Sequence, residues 1–263
     1  MPDDDHWKKL IADAATRRSL PVKALHYLGI TYPSCSKPVL MACSDGRKYV
    51  VKWFNPPRMI VNDQIIGTLG SAMGAPVPEV RLIDIASQLV AATPAISHMR
   101  AGLCHGSRFL DDVSESRENF NFMNIPENRP RFAMLAALYG LAYVAADHQF
   151  IYKKQPPRLV FSYDHGHFFP DGPNWTVESL GRALTSGLDL TIMEKCYFTP
   201  EEITIAVQSL KTMDNSCIAA AVAAPPDDWG LAIDGRIAMA RYLEKRRDNL
   251  LRSMDDFAKG DQP

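Results

Sequence analysis

The sequence has no G-x-G-x-x-G run, no C-x-x-C pair, no apolar stretch long enough to cross a bilayer and almost no net charge, and each absence excludes something. A formal charge of −1 gives no basic field to hold nucleic acid and no acidic tail. No helix-turn-helix segment is recognisable. The five cysteines, Cys35, Cys43, Cys104, Cys196 and Cys217, are scattered and odd in number, which argues against a structural zinc site or a disulfide framework and for free thiols. The opening Met-Pro-Asp-Asp-Asp lacks the basic start of a signal peptide, so a cytoplasmic protein with no membrane contact is expected. What remains is an ordinary globular composition, 46% apolar and 22% charged. Its 263 residues suffice for one large domain or two lobes around a cleft.

The stretch from Asp147 to Phe169 organises the chain. Phe150 to Tyr152 and Leu159 to Ser162 are short aromatic and β-branched runs parted by a Lys/Gln/Pro turn, the pattern of a β-hairpin. Asp147 precedes the first run and Asp164 follows the second. Antiparallel pairing would bring both carboxylates to one end of the hairpin. Asp and Gly are also the commonest turn residues, so the pairing alone does not decide between a site and a turn. The density of polar groups in an otherwise apolar segment (Asp147, His148, Gln149, Asp164, His165, His167) favours a site, because buried polar groups need partners.

Upstream, apolar spacing predicts a helix from His6 to Arg18, then strands at Val22 to Ile30, Val39 to Cys43 and Lys48 to Phe54, linked as an antiparallel meander. In the third strand alternation puts Lys48, Val50 and Lys52 on one face and Tyr49, Val51 and Trp53 on the other. Lys52 lies among Val50, Val51, Trp53 and Phe54, and a lysine in that setting needs an anion. A linker with Pro56 and Pro57 leads to a helix from Val61 to Met73, with Asn62 and Asp63 in its first turn and Gly74 ending it. Val80 to Ile85 and Leu89 to Ala92 read as two more strands, and Ile96 to Gly102 as the crossing into a second lobe.

Further on, Arg131 to Ala146 has almost no polar face and reads as a buried helix that delivers the chain to Asp147. Thr199-Pro200-Glu201-Glu202 is a helix start with an N-cap threonine, proline at the first position and a glutamate three residues on. A last helix runs from Gly235 to Phe257. Its Lys245-Arg246-Arg247 cluster, flanked by Glu244 and Asp248, reads as a solvated face.

In this order, Ser34-Cys35-Ser36-Lys37-Pro38, Asp45 to Lys52, Asn62-Asp63, Pro76 to Glu79, Gly106-Ser107-Arg108-Phe109, Asp147 to Tyr152 and Asp164-His165-Gly166-His167 make the chain resemble the HipA-like kinase domain family, relatives of the bacterial HipA toxin kinases. The resemblance implies an α+β, two-lobed protein-kinase-like fold. Residues 1–102 would form a small antiparallel β lobe with one helix, and residues 103–263 a larger, mainly helical lobe carrying the active-site hairpin. It also implies ATP and Mg²⁺ as cofactors and a protein Ser or Thr hydroxyl as a possible acceptor. The implied catalytic set is Lys52 on the phosphates, Asp147 on the attacking hydroxyl and Asp164 on the metal. The nucleotide set is Ser34, Ser36, Lys52, Asp63 and Met99, and Gln149 joins Asp164 at the metal.

The sequence departs from the wider kinase pattern, since Tyr152 stands where an asparagine would hold a second metal. Two alternatives follow: a degenerate kinase that binds nucleotide as a regulatory module, and a metal-dependent phosphoesterase using Asp147, His148, Asp164, His165 and His167 as ligands.

Overall fold

The computed structural model describes residues 3–53, 58–115, 120–145 and 147–258. The protein is α+β. After helix α1 (Asp4–Thr16) come β1 (Val22–Thr31), β2 (Val39–Cys43), β3 (Lys48–Lys52), α2 (Arg58–Met73), β4 (Val80–Ile85), α3 (Ser87–Ala92) and β5 (Gly102–Arg108). The five strands close into a barrel in the order β1-β2-β3-β5-β4. The expected meander forms, with Val39 opposite Val51 and Met41 opposite Tyr49. Closure comes from a short parallel contact that no local pattern encodes, Val22 with Ile83 and Lys23 with Asp84.

Alternation along β3 separates two environments. Tyr49 and Val51 point into the barrel, where they pack with Val39, Met41, Ile83, Ile85 and Cys104. Lys52 is on the opposite face with exposed Lys48, and α2 supplies its partner. The third strand ends at Lys52, and Phe54, Pro56 and Pro57 lie outside the described residues. Leu89 to Ala92, read as a strand, is instead the second half of α3. A short apolar run does not distinguish the two, and this one is only partly buried. The crossing expected near Gly102 falls on the first residue of β5, which pairs with both β3 and β4.

The rest of the chain is β6 (Val113–Glu115), α4 (Arg129–Ala142), β7 (Phe150–Lys153), β8 (Val160–Ser162), α5 (Val177–Arg182), α6 (Leu190–Cys196), α7 (Pro200–Thr212), α8 (Asn215–Ala223) and α9 (Ile233–Ala258). Strands β6, β7 and β8 form a small antiparallel sheet, with Phe150 opposite Ser162. Thr199 caps α7, its hydroxyl accepting the Glu202 N–H while the Glu202 carboxylate accepts the Thr199 N–H; such a box stabilises a helix start by about 1 kcal/mol. Helix α4 ends earlier than its apolar pattern suggests, because Tyr143 adopts a positive φ of 68°; Ala146 lies outside the described residues.

The helices share one large core that includes Leu135, Leu138, Phe150, Phe168, Trp229 and Leu243. Helix α1 comes first in the chain but packs on α8 and α9, and its Trp7 and Ile11 join this core. The Lys245-Arg246-Arg247 segment is not uniformly solvated. Arg246 is 3% exposed, and its guanidinium donates to the carbonyls of Gly140 and Leu141 at 2.6 and 2.8 Å, satisfying the C-terminus of α4. Among the described residues no helix is long and apolar enough to cross a membrane.

Candidate active site

Lys52 ends β3 with its ammonium between two carboxylates. Nζ lies 2.7 Å from Asp63 Oδ2 and 2.7 Å from Asp164 Oδ1. Three separate elements meet here: the barrel, helix α2 and the turn after β8. The side chains of Lys52 and Asp63 are 10% and 3% exposed, whereas that of Asp164 is 36% exposed. One arm of the cluster is therefore locked in the protein and the other opens outward. Burial works to neutralise Lys52, but the charges of Asp63 and Asp164 outweigh it and hold the ammonium above the ordinary lysine range. Burial likewise opposes ionisation of Asp63, and Lys52 beside it holds the carboxyl below the usual range. Both stay charged at neutral pH.

Helix α2 begins at Arg58, so Asn62 and Asp63 fall in its second turn. Both face the segment after β8. Asp63 Oδ1 accepts the backbone N–H of His165 at 2.8 Å. The Asn62 amide donates to the carbonyls of Gly166 and Phe168 at 2.9 and 3.0 Å, and its oxygen accepts the Trp175 indole N–H at 2.9 Å. Two adjacent residues of one helix thus hold the backbone on the C-terminal side of Asp164. Asp164 has a φ of 57°, a left-handed conformation that Asp tolerates better than most residues. Such conformations persist where surrounding bonds fix them.

Gln149 Nε2 donates to Asp147 Oδ1 at 2.8 Å, and the Tyr163 N–H reaches the Gln149 carbonyl at 3.3 Å, so Gln149 ties the first acid to the strand leading to the second. Asp164, with 36% of its side chain exposed, offers the hard carboxylate oxygen that magnesium prefers. Such a donor fits Mg²⁺ better than a soft transition metal.

The histidines are engaged elsewhere. His148 Nε2 is 2.9 Å from Asp189 Oδ1, which also caps α6. His165 Nε2 is 2.8 Å from Ser162 Oγ, itself 2.7 Å from Tyr139 OH. His167 is exposed. Among the described residues no group of three or more His, Cys, Asp or Glu could hold a metal.

Four further residues make other contacts. Ser34 and Ser36 meet each other at 3.4 Å, and neither bonds to the Lys52 cluster among the described residues. Met99 is 4% exposed and packs in the barrel interior. Tyr152 is 1% exposed, and its hydroxyl accepts the Asn121 N–H at 3.1 Å on the core side of the hairpin.

Sequence reasoning also missed two buried residues behind Lys52. His105 is its partner across β3 and β5, and His105 Nδ1 is 2.9 Å from Gln64 Oε1. The only sequence signal was a histidine between apolar and small residues just before Gly106. Burial pushes the imidazoles of both His105 and His165 down to about 4, from an ordinary 6.5, despite the opposing pull of Asp63. Between those values the unfolded chain binds more protons than the folded one. Stability should be fully present above about pH 6.5 and fall as the pH drops toward 4, by up to about 1.4 kcal/mol per pH unit for each histidine. Urea unfolding at about pH 7 and about pH 5 measures the slope, and His105→Gln should remove one histidine's share.

The fold is a kinase fold. The chain is similar to the crystal structure of a Helicobacter pylori proinflammatory kinase, CtkA, at 8% identity and a TM-score of 0.61, with 93% of this chain and 100% of that chain covered. It is also similar to the Golgi casein kinase, at 13% identity and a TM-score of 0.50, with 98% and 78% covered. Identities this low carry the fold and nothing finer.

In sequence, residues 31–132 match the family model of the HipA-like kinases. The resemblance to that family therefore holds from the end of β1 into α4, which includes Lys52 and Asp63 but neither Asp147 nor Asp164. No curated protein matches the sequence.

Proposed function

We propose that the protein is an ATP- and Mg²⁺-dependent phosphotransferase acting on a Ser or Thr hydroxyl of a protein, with the nucleotide held in a cleft between a barrel lobe and a helical lobe. One observation carries the reading. Lys52 is a buried ammonium held at 2.7 Å by carboxylates from two other elements, one of them outward-facing. Such a group supplies a fixed positive charge where phosphate charge gathers, and it needs no reorganisation during the reaction.

Lys52 would hold the phosphates and Asp63 would keep it ionised and oriented. The backbone and hydroxyls of Ser34 and Ser36, on the β1–β2 connection, would cover the phosphates. Asp164 and Gln149 would hold the Mg²⁺, which when bound supplies charge neutralisation on the phosphate oxygens. Asp147, fixed by the Gln149 amide at 2.8 Å, would accept a hydrogen bond from the attacking hydroxyl and orient it. The test is to incubate the protein with ATP, Mg²⁺ and a degenerate Ser/Thr peptide library and to map phosphate by mass spectrometry. Phosphoserine or phosphothreonine that disappears in Asp147→Asn is the expected result. Phosphate released only to water would overturn the protein-kinase part of the reading.

A second reading has a specific observation behind it. Tyr152 is turned into the core and offers the cleft no amide where the wider kinases have one. A regulatory module that binds nucleotide without turnover follows from that loss. It predicts tight Mg-ATP binding with no phosphopeptide at all.

A further inference from the structure

A cavity of about 430 Å³ lies behind α2, lined by α1, the α1–β1 connection, α2, β4 and α8. Its size falls in the usual range for small-molecule sites. Leu10, Ala14, Val80, Leu82 and Ala220 supply apolar wall. Three arginines, Arg17, Arg18 and Arg81, also line it, and among the described residues no Asp or Glu does. Arg17 is exposed and Arg18 and Arg81 are half-buried, and three cations around one apolar cavity make a local positive field that favours an anion.

The arginines retain donor capacity. Arg18 gives Nε and Nη2 to the carbonyls of Ala223 and Pro225, which leaves Nη1 without a partner among the described residues. Arg17 gives only Nε, to Asp13 O at 3.2 Å. Arg81 has one distant carboxylate, Glu79 at 4.0 Å. Leu20, another lining residue, is 86% exposed, so apolar surface at the cavity is left for a ligand to cover.

We infer that this cavity binds a small amphipathic carboxylate, an alkyl or aryl acid whose head pairs with the arginines and whose body lies against the apolar wall. The planar guanidinium fork matches a carboxylate two-for-two. The cavity is separate from the Lys52 cluster, and the inference stands whether or not the protein transfers phosphate.

Decanoate is the probe, with decanol and inorganic phosphate as the body-only and head-only controls, each titrated calorimetrically into the full chain. Decanoate should bind one-to-one with a dissociation constant of about 0.1 mM or tighter, and each control at least about tenfold more weakly. Ala220 is exposed, so Ala220→Trp should fill the cavity without disturbing the core. It should weaken decanoate at least about tenfold while its thermal unfolding stays that of the wild type. Arg17→Gln combined with Arg81→Gln should erase the preference for decanoate over decanol. Equal binding of decanoate and decanol by the wild type, tight binding of phosphate alone, or unchanged decanoate affinity in Ala220→Trp would each overturn the inference. So would no binding up to about 1 mM.

Discussion

Lys52→Met is expected to destabilise the protein by about 3–5 kcal/mol and to lower phosphoryl transfer by about 10²–10³-fold. The stability loss follows from what is left behind. Asp63 is 2% exposed, its Oδ2 faces only the lysine and its Oδ1 holds the His165 N–H. Without the ammonium, a buried carboxylate has lost its counter-charge, and removing one partner of a buried pair is far costlier than removing both. The double variant Lys52→Met with Asp63→Asn should therefore recover much of the stability and none of the transfer. Urea unfolding of the two variants beside the wild type measures the first effect, and initial transfer rates measure the second. A single variant as stable as the wild type would mean that Asp63 does not depend on Lys52.

Asp164→Asn is expected to behave in the opposite way, with stability within about 1 kcal/mol of the wild type and transfer down by about 10³-fold or more. Asp164 bonds the same lysine at the same 2.7 Å, but with 36% of its side chain exposed. A pair so open to water contributes little to folding. Asparagine keeps the shape and tolerates the φ of 57°, so the substitution removes charge rather than backbone geometry. What it takes away is the carboxylate available to a cation, and the Mg²⁺ dependence of ATP affinity should go with it. Calorimetry of the variant with and without Mg²⁺ reads this directly. Two variants of one charge cluster thus separate a structural arm from a chemical one.

Much of this arrangement could be read from the chain because its signals are local. The meander shows in strand alternation and turn residues, and α7 in its capping box. Lys52 stands out because four apolar neighbours leave a charge with nothing nearby to meet it. Asp63, early in the next helix, is the partner that a kinase-like order of elements suggests, whereas Asp164 lies 112 residues on and reaches Lys52 only through the fold.

The misses share that cause. Barrel closure by Val22 and Ile83 and the placing of β5 inside the sheet depend on long-range pairing. The Leu89 to Ala92 run carried too few residues for a period to show, and it folded as a helix. His148 and His165 look like metal ligands in sequence, yet they bond Asp189 and Ser162, partners fixed only by the folded core. Asn62 looked like a helix-start residue, whereas its amide holds two carbonyls and an indole. A buried polar side chain advertises that it needs partners; the fold determines which ones.

We propose Lys52, Asp63 and Asp164 as the core of a metal-dependent nucleotide site. The measurement that tests it most directly is a calorimetric titration of the wild-type protein with ATP, run with and without Mg²⁺. One-to-one binding that tightens at least about tenfold with Mg²⁺ is the predicted result. Binding of equal strength without the metal, or no binding at all, would contradict it.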